Sequence, residues 1–227
     1  MPMPNNAWTQ FRFLTTHAFR VEFRQKHGIA GLFLFALASV YACYQVAGGR
    51  ASAEIWNALA WVVLMFSAFN AVAKPWAEDS PELRSYLKTT LRPGIWILAR
   101  MAYYVMIMSL LALLVFFAFA LFLGTEHLGG SRSWSFLLGL EFTAVAFASL
   151  LTLLSAISSR AGAGFSLTAV LGLPLIIPII LISTRYGSEV LRGVIFGDTA
   201  HHLLFLAGLT GGIATLGYIL FPYLWRD

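Results

Sequence analysis

Six long apolar runs limit what this chain can become. Residues 28–49, 55–73 and 101–125 hold no Asp, Glu, Lys or Arg, and residues 133–159 hold one charged residue, Glu141. Residues 161–184 and 199–225 complete the set, again without charge. A soluble fold would have to bury all six beneath a polar surface. The 227-residue chain cannot supply one, because it is 59% hydrophobic and 11% charged, against about 25% charged in an ordinary globular protein. A bilayer removes the difficulty: about 20 apolar residues cross its hydrocarbon. Helix is then the form in which each run satisfies its own backbone. The expectation is an all-α integral membrane protein with six transmembrane helices and no soluble domain.

Charge placement orients the spans. Arg12, Arg20, Arg24, Lys26, Lys74, Arg84, Lys88, Arg92, Arg100, Arg160 and Arg226 fall on one side of such a bundle, and Arg50, Arg132, Arg185 and Arg192 on the other. Basic residues flanking spans stay cytoplasmic, so both termini are expected inside. The net charge of +5 therefore points to membrane lipids and not to nucleic acid. Cys43 is the one cysteine, which excludes an intramolecular disulfide. Tyr41 is too bulky for the lipoprotein cleavage pattern that Cys43 faintly suggests, and the first span is expected to stay uncleaved.

Residues 8–26 read as an interfacial helix. Trp8, Phe11, Leu14, Ala18 and Phe19 share one arc of the wheel, and Arg12, Arg20 and Arg24 another, the pattern of a helix lying under anionic headgroups. A second amphipathic helix is expected over 79–91, in the most polar stretch of the chain, "AKPWAEDSPELRSYLKTTLRPG". Ser80 caps it, Pro81 suits the first helical position, and Asp79 and Glu82 complement the positive end of the dipole. Leu83, Tyr86, Leu87 and Leu91 form an apolar stripe, while Glu82, Arg84 and Lys88 supply charge. Arg92, Pro93 and Gly94 stop it. Such a helix, on the cytoplasmic side, needs a partner for its apolar face.

Other features suggest a path or a hinge. Glu141 sits inside a span, where a carboxylate ordinarily faces a cavity or a partner. Pro174 and Pro178 remove two helical hydrogen bonds one turn apart, so that span is expected to kink or locally unwind. Gly208 and Gly212 form a G-x-x-x-G packing face. Residues 186–200 are too apolar for a solvated loop and too short to span, and a re-entrant or interfacial segment is expected there. His201 and His202 project about 100° apart on a helix, so the pair cannot share one metal from one face. No glycine-rich phosphate loop leads into any of the three lysines, and no H-E-x-x-H or paired-cysteine spacing occurs. An ATP site and a metal enzyme are therefore not expected.

Together the "SAFNAVAKPWAEDSPELRSYLKTTLRPG" stretch and "GLPLIIPIIL" carry a resemblance. The chain resembles the haem exporter protein B (CcmB) family over nearly its whole length. The resemblance rests on Ser67, Ala68 and Asn70 closing span two, the polar segment from Glu78 to Leu87, Pro93 opening span three, and Pro174, Leu175, Ile177 and Pro178 in span five. It implies a single ABC-2-type permease domain over 1–227 in the bacterial inner membrane, acting in cytochrome c maturation. It implies that 79–91 is a coupling helix docking in a separate CcmA-like ATPase, so that the chain is no enzyme itself. A CcmC-like haem-handling partner and a small CcmD-like subunit are implied as well. No cofactor is held stably, haem being a transported or partner-bound ligand. Two alternatives remain open on the residues alone: an ABC-2 permease for lipid or glycan, and a non-transporting scaffold.

Overall fold

A computed structural model describes residues 7–24, 26–49, 51–72, 93–160 and 164–226. Among them are seven helices: α1 (Ala7–Arg24), α2 (Lys26–Val46), α3 (Ala53–Val72), α4 (Pro93–Phe122), α5 (Ser131–Arg160), α6 (Gly164–Leu191) and α7 (Phe196–Arg226). Six of these, α2 to α7, are long and apolar enough to cross a membrane. The expected helix over 79–91 lies in residues 73–92, outside the described residues. The end of the bundle that carries residues 73–92 is called proximal below, and the other end distal.

The bundle is built around α5, which packs on α3, α4, α6 and α7. Small residues make that possible: Ala144, Ala146, Ala148 and Ala156 are wholly buried among larger neighbours such as Phe147 and Leu151. Without a hydrophobic drive between helices in lipid, close backbone approach and polar contacts hold such a bundle. The polar side chains of α5 turn inward accordingly. Thr143 exchanges a 2.7 Å hydrogen bond with Ser183 of α6, and Thr152 closes on its own helix at the Ala148 carbonyl.

The amphipathic division expected at the amino terminus is present, with α1 closing at Arg24. Leu14 and Ala18 pack against the core, Arg12 and Arg20 are exposed, and the helix lies along α4. Trp8 is exposed and stacks on Phe11 at 5.8 Å.

Two expectations are narrowed, and the interfacial alternative for 186–200 and a kink at the prolines of α6 stay as expectations. No re-entrant segment occupies residues 186–200, because α6 stays helical through Leu191 and a four-residue turn, 192–195, leads straight into α7. The apolar cluster divides at that turn: Val190 and Leu191 are buried, whereas Val194, Ile195 and Phe196 are exposed. Nor does α6 unwind at its prolines; one helix runs through Pro174 and Pro178. A missing N–H removes one rung without ending a helix whose remaining rungs hold.

The G-x-x-x-G pair is not a packing face within this chain. A β-carbon at Gly208 or Gly212 would meet no atom within 4 Å. The glycines at close approach are others. The Tyr186 ring occupies the space beside Gly139, the Asn57 amide presses on Gly187, and a β-carbon at Gly217 would lie 2.9 Å from the Met101 methyl.

Candidate functional site

The site residues named from sequence separate into three places. Asp79, Glu82, Leu83, Arg84, Tyr86, Leu87, Lys88 and Leu91 lie outside the described residues. Glu141 lies about 15 Å along α5 from the distal end, half-buried. Its Oε1 is enclosed without a hydrogen-bond partner, and Ser109 of α4 is the side chain within hydrogen-bonding reach of the carboxyl. The carboxyl thus sits at the α4–α5 seam. Pro174 and Pro178 stand apart from it, both exposed on the outer side of α6. They and Glu141 are not brought together.

What brackets the polar 73–92 stretch is well defined. It leaves α3 at Val72, which is buried, and enters α4 at Pro93. Proline at the first helical position costs no hydrogen bond, since that N–H would be unpaired anyway. Gly94 comes next, and its missing side chain lets α7 approach: a β-carbon there would lie 2.7 Å from the Tyr218 ring and 3.2 Å from the Tyr218 carbonyl oxygen. Trp96 stacks on Phe221 at 5.4 Å, with planes 24° apart. The Arg100 guanidinium lies 5.3 Å from the centre of the Trp96 ring, a cation–π contact. The 73–92 stretch therefore ends at a helix, α4, that is packed closely on α7.

Sequence reasoning missed this seam. Composition bounded the charge-free run of the third span at Met101, whereas the resemblance opened that span at Pro93, where α4 does begin; neither indicated the contacts of Gly94 and Arg100. The overlooked signal was the spacing of Trp96 and Arg100, four residues apart and so on one helical face.

The distal end is fastened more tightly still. Asn57 of α3 donates to the Thr184 carbonyl of α6 at 2.9 Å and accepts from the Trp61 indole at 2.7 Å. Tyr186 donates its hydroxyl to the Ser135 carbonyl of α5. Trp56 is wedged edge-on between Phe119 and Phe136 at 5.3 and 4.8 Å. The two distal loops meet where a His127 nitrogen lies 2.9 Å from the Ala51 carbonyl oxygen.

The histidine pair belongs to this end as well. His202 contacts Glu189 at 3.1 Å, and His201 donates Nδ1–H to the Asp198 carbonyl at 2.7 Å, since a carbonyl can only accept. Among the described residues no three His, Cys, Asp or Glu side chains converge as a metal site would require. His202 thus joins the first turns of α7 to α6.

Among the described residues the geometry is that of a bundle of six helices long and apolar enough to span a membrane, with the polar 73–92 stretch between the second and third of them. The chain matches the family described as CcmB protein over residues 9–223. It belongs to the CcmB family. No individual curated relative matches it. CcmB proteins are the permease component of the cytochrome c maturation haem-exporter ABC transporter, and CcmA is the ATPase. The division of labour fits a CcmB chain with no phosphate-binding loop, whose length is spent on membrane helices.

Proposed function

We propose that this permease receives the ATPase stroke through residues 79–91 and passes it to the α4–α7 seam. The observation that carries the reading is the fastening of the stretch's exit: Gly94 against Tyr218 and Trp96 stacked on Phe221 under Arg100. A lever works only if its far end is held. Both termini and 79–91 are cytoplasmic in this reading, supported by the eleven basic residues that fall at the proximal end and by the interspersed stripe of Leu83, Tyr86, Leu87 and Leu91.

The distal end, with Asn57, Tyr186 and Trp56 locking four helices, moves as a unit or not at all. The cargo acted on is haem or a haem-loaded carrier, handed over by a CcmC-like membrane partner, with a small CcmD-like subunit in the same complex. Haem is substrate here and no resident cofactor. The test is co-purification from native membranes. The tagged chain should bring down an ATPase whose hydrolysis rate in liposomes rises when this chain is present. An ATPase that neither co-purifies nor responds would remove the reading.

A further inference from the structure

Glu141 is the one charged residue within the six apolar runs, and the described residues give it no counter-ion. It stands about 15 Å along α5 from the distal end, and Ser109 about 20 Å along α4 from the same end, so both are at hydrocarbon depth. The Ser109 hydroxyl is in reach of the carboxyl, whereas Oε1 accepts from nothing. The nearest basic residues along the two helices are Arg132 and Arg100, each about 13 Å of helix axis away. Both are placed elsewhere: Arg132 lies against Gly193, and Arg100 over the Trp96 ring. A carboxylate at this depth is costly, and where one is kept it faces a cavity or an opposite charge.

The carboxyl belongs to the outside of the bundle. Trp134, Leu138 and Glu141 form one stripe of α5, at i, i+4 and i+7, and Trp134 and Leu138 are 71% and 42% exposed. Across the seam Met106 and Leu110 of α4, one turn apart on either side of Ser109, are exposed as well. Glu141 itself is only half-buried. A polar pair is thus set into an otherwise apolar outer face. A second copy of the chain cannot answer it. No Lys or Arg occurs in any of the six runs, and a twofold meeting of this face would set carboxylate against carboxylate. The chemistry asks for a cation from a different chain.

We infer that the α4–α5 seam at Glu141 and Ser109 receives a Lys or Arg from a spanning helix of a different membrane subunit, whose N–H groups reach Oε1. The inference extends the reading that the chain works beside another membrane subunit. The partner's basic residue meets the same penalty in hydrocarbon, so each charge specifies the other. The pair then sets the depth and register at which the two chains meet, and removing one member leaves the other unpaired.

The experiment uses the complete transporter in native membranes, with the photoreactive p-benzoylphenylalanine in place of Leu138, which leaves the carboxyl intact. The expected result is an adduct with a different membrane-spanning subunit, on a peptide from a span that carries Lys or Arg. Its yield should fall several-fold when Glu141→Gln is added and vanish with Glu141→Lys, while recovery of the ATPase is unchanged. Dicyclohexylcarbodiimide, which modifies protonated carboxyls open to lipid, should leave Glu141 untouched in the same membranes. An adduct with lipid alone or with a second copy of this chain overturns the inference, as does a yield indifferent to Glu141→Gln. So does carbodiimide modification of Glu141, which would mean that a proton and not a partner's cation neutralises it. The ATPase is blotted in the same preparation. Its absence beside the unsubstituted chain counts against the coupling reading, whereas its presence with an adduct indifferent to Glu141 counts against this inference only.

Discussion

The ring of Tyr186 on α6 fills the space left by the missing side chain of Gly139 on α5, and its hydroxyl donates to the Ser135 carbonyl one turn earlier. Ring and glycine together hold the last turns of α6 in helical form. Restoring a side chain at position 139 drives it into the ring, and overpacking of this kind costs typically 1–3 kcal/mol. Gly139→Val is expected to lower the melting temperature of the purified protein clearly. Tyr186→Phe, which keeps the ring and loses one hydrogen bond, should cost only about 1 kcal/mol. Equal melting temperatures for the two variants would show that the close approach is not a constraint.

The same contact explains what the sequence could not reveal. The six spans were legible because apolar length alone demands them, and the amphipathic division of α1 because its wheel separates Arg12 and Arg20 from Leu14 and Ala18. The distal end of α6 was not. Tyr186, Gly187, Ser188 and Glu189 read as the start of a re-entrant or interfacial segment, yet each of the first two is matched across the bundle, by Gly139 and Asn57. Such pairings join residues far apart in the chain and leave no periodic trace. The packing at the start of α4 was missed for a related reason. Gly94 and Arg100 look like span-ending residues until Tyr218 and the Trp96 ring are seen to receive them. Of the site, the polar 73–92 stretch was legible as an interruption, whereas its seat on α4 and α7 was not.

Transmission through the seam should be separable from docking. Trp96→Ala removes a buried ring stacked on Phe221 and the surface beneath Arg100, and buried Trp→Ala changes cost about 3–5 kcal/mol. The variant should still bind the ATPase while failing to support cytochrome c maturation. Trp96→Phe, which preserves ring stacking, should restore most of it. Full maturation with Trp96→Ala would mean that the stroke travels elsewhere.

Topology follows from the distribution of Lys and Arg. Ser52 and Ser131 are exposed at the distal end, so a cysteine at either should react with an impermeant thiol reagent in intact cells. A cysteine in place of Ser85 should react only after the membrane is opened. Labelling of Ser85→Cys in intact cells together with protection of Ser131→Cys would invert the orientation.

The coupling claim itself is tested by capturing the ATPase on tagged Leu87→Asp and Lys88→Ala proteins. An apolar anchor at the centre of an interface typically contributes on the order of 2 kcal/mol, rim charges less, and Leu87→Asp would also bury an unpaired carboxylate. Both proteins should reach the membrane at wild-type levels, since the six spans do not depend on this segment. Lys88→Ala should hold the ATPase nearly as well as wild type, and Leu87→Asp should lose it and with it cytochrome c maturation. ATPase recovered in full with Leu87→Asp, with maturation intact, would contradict the account.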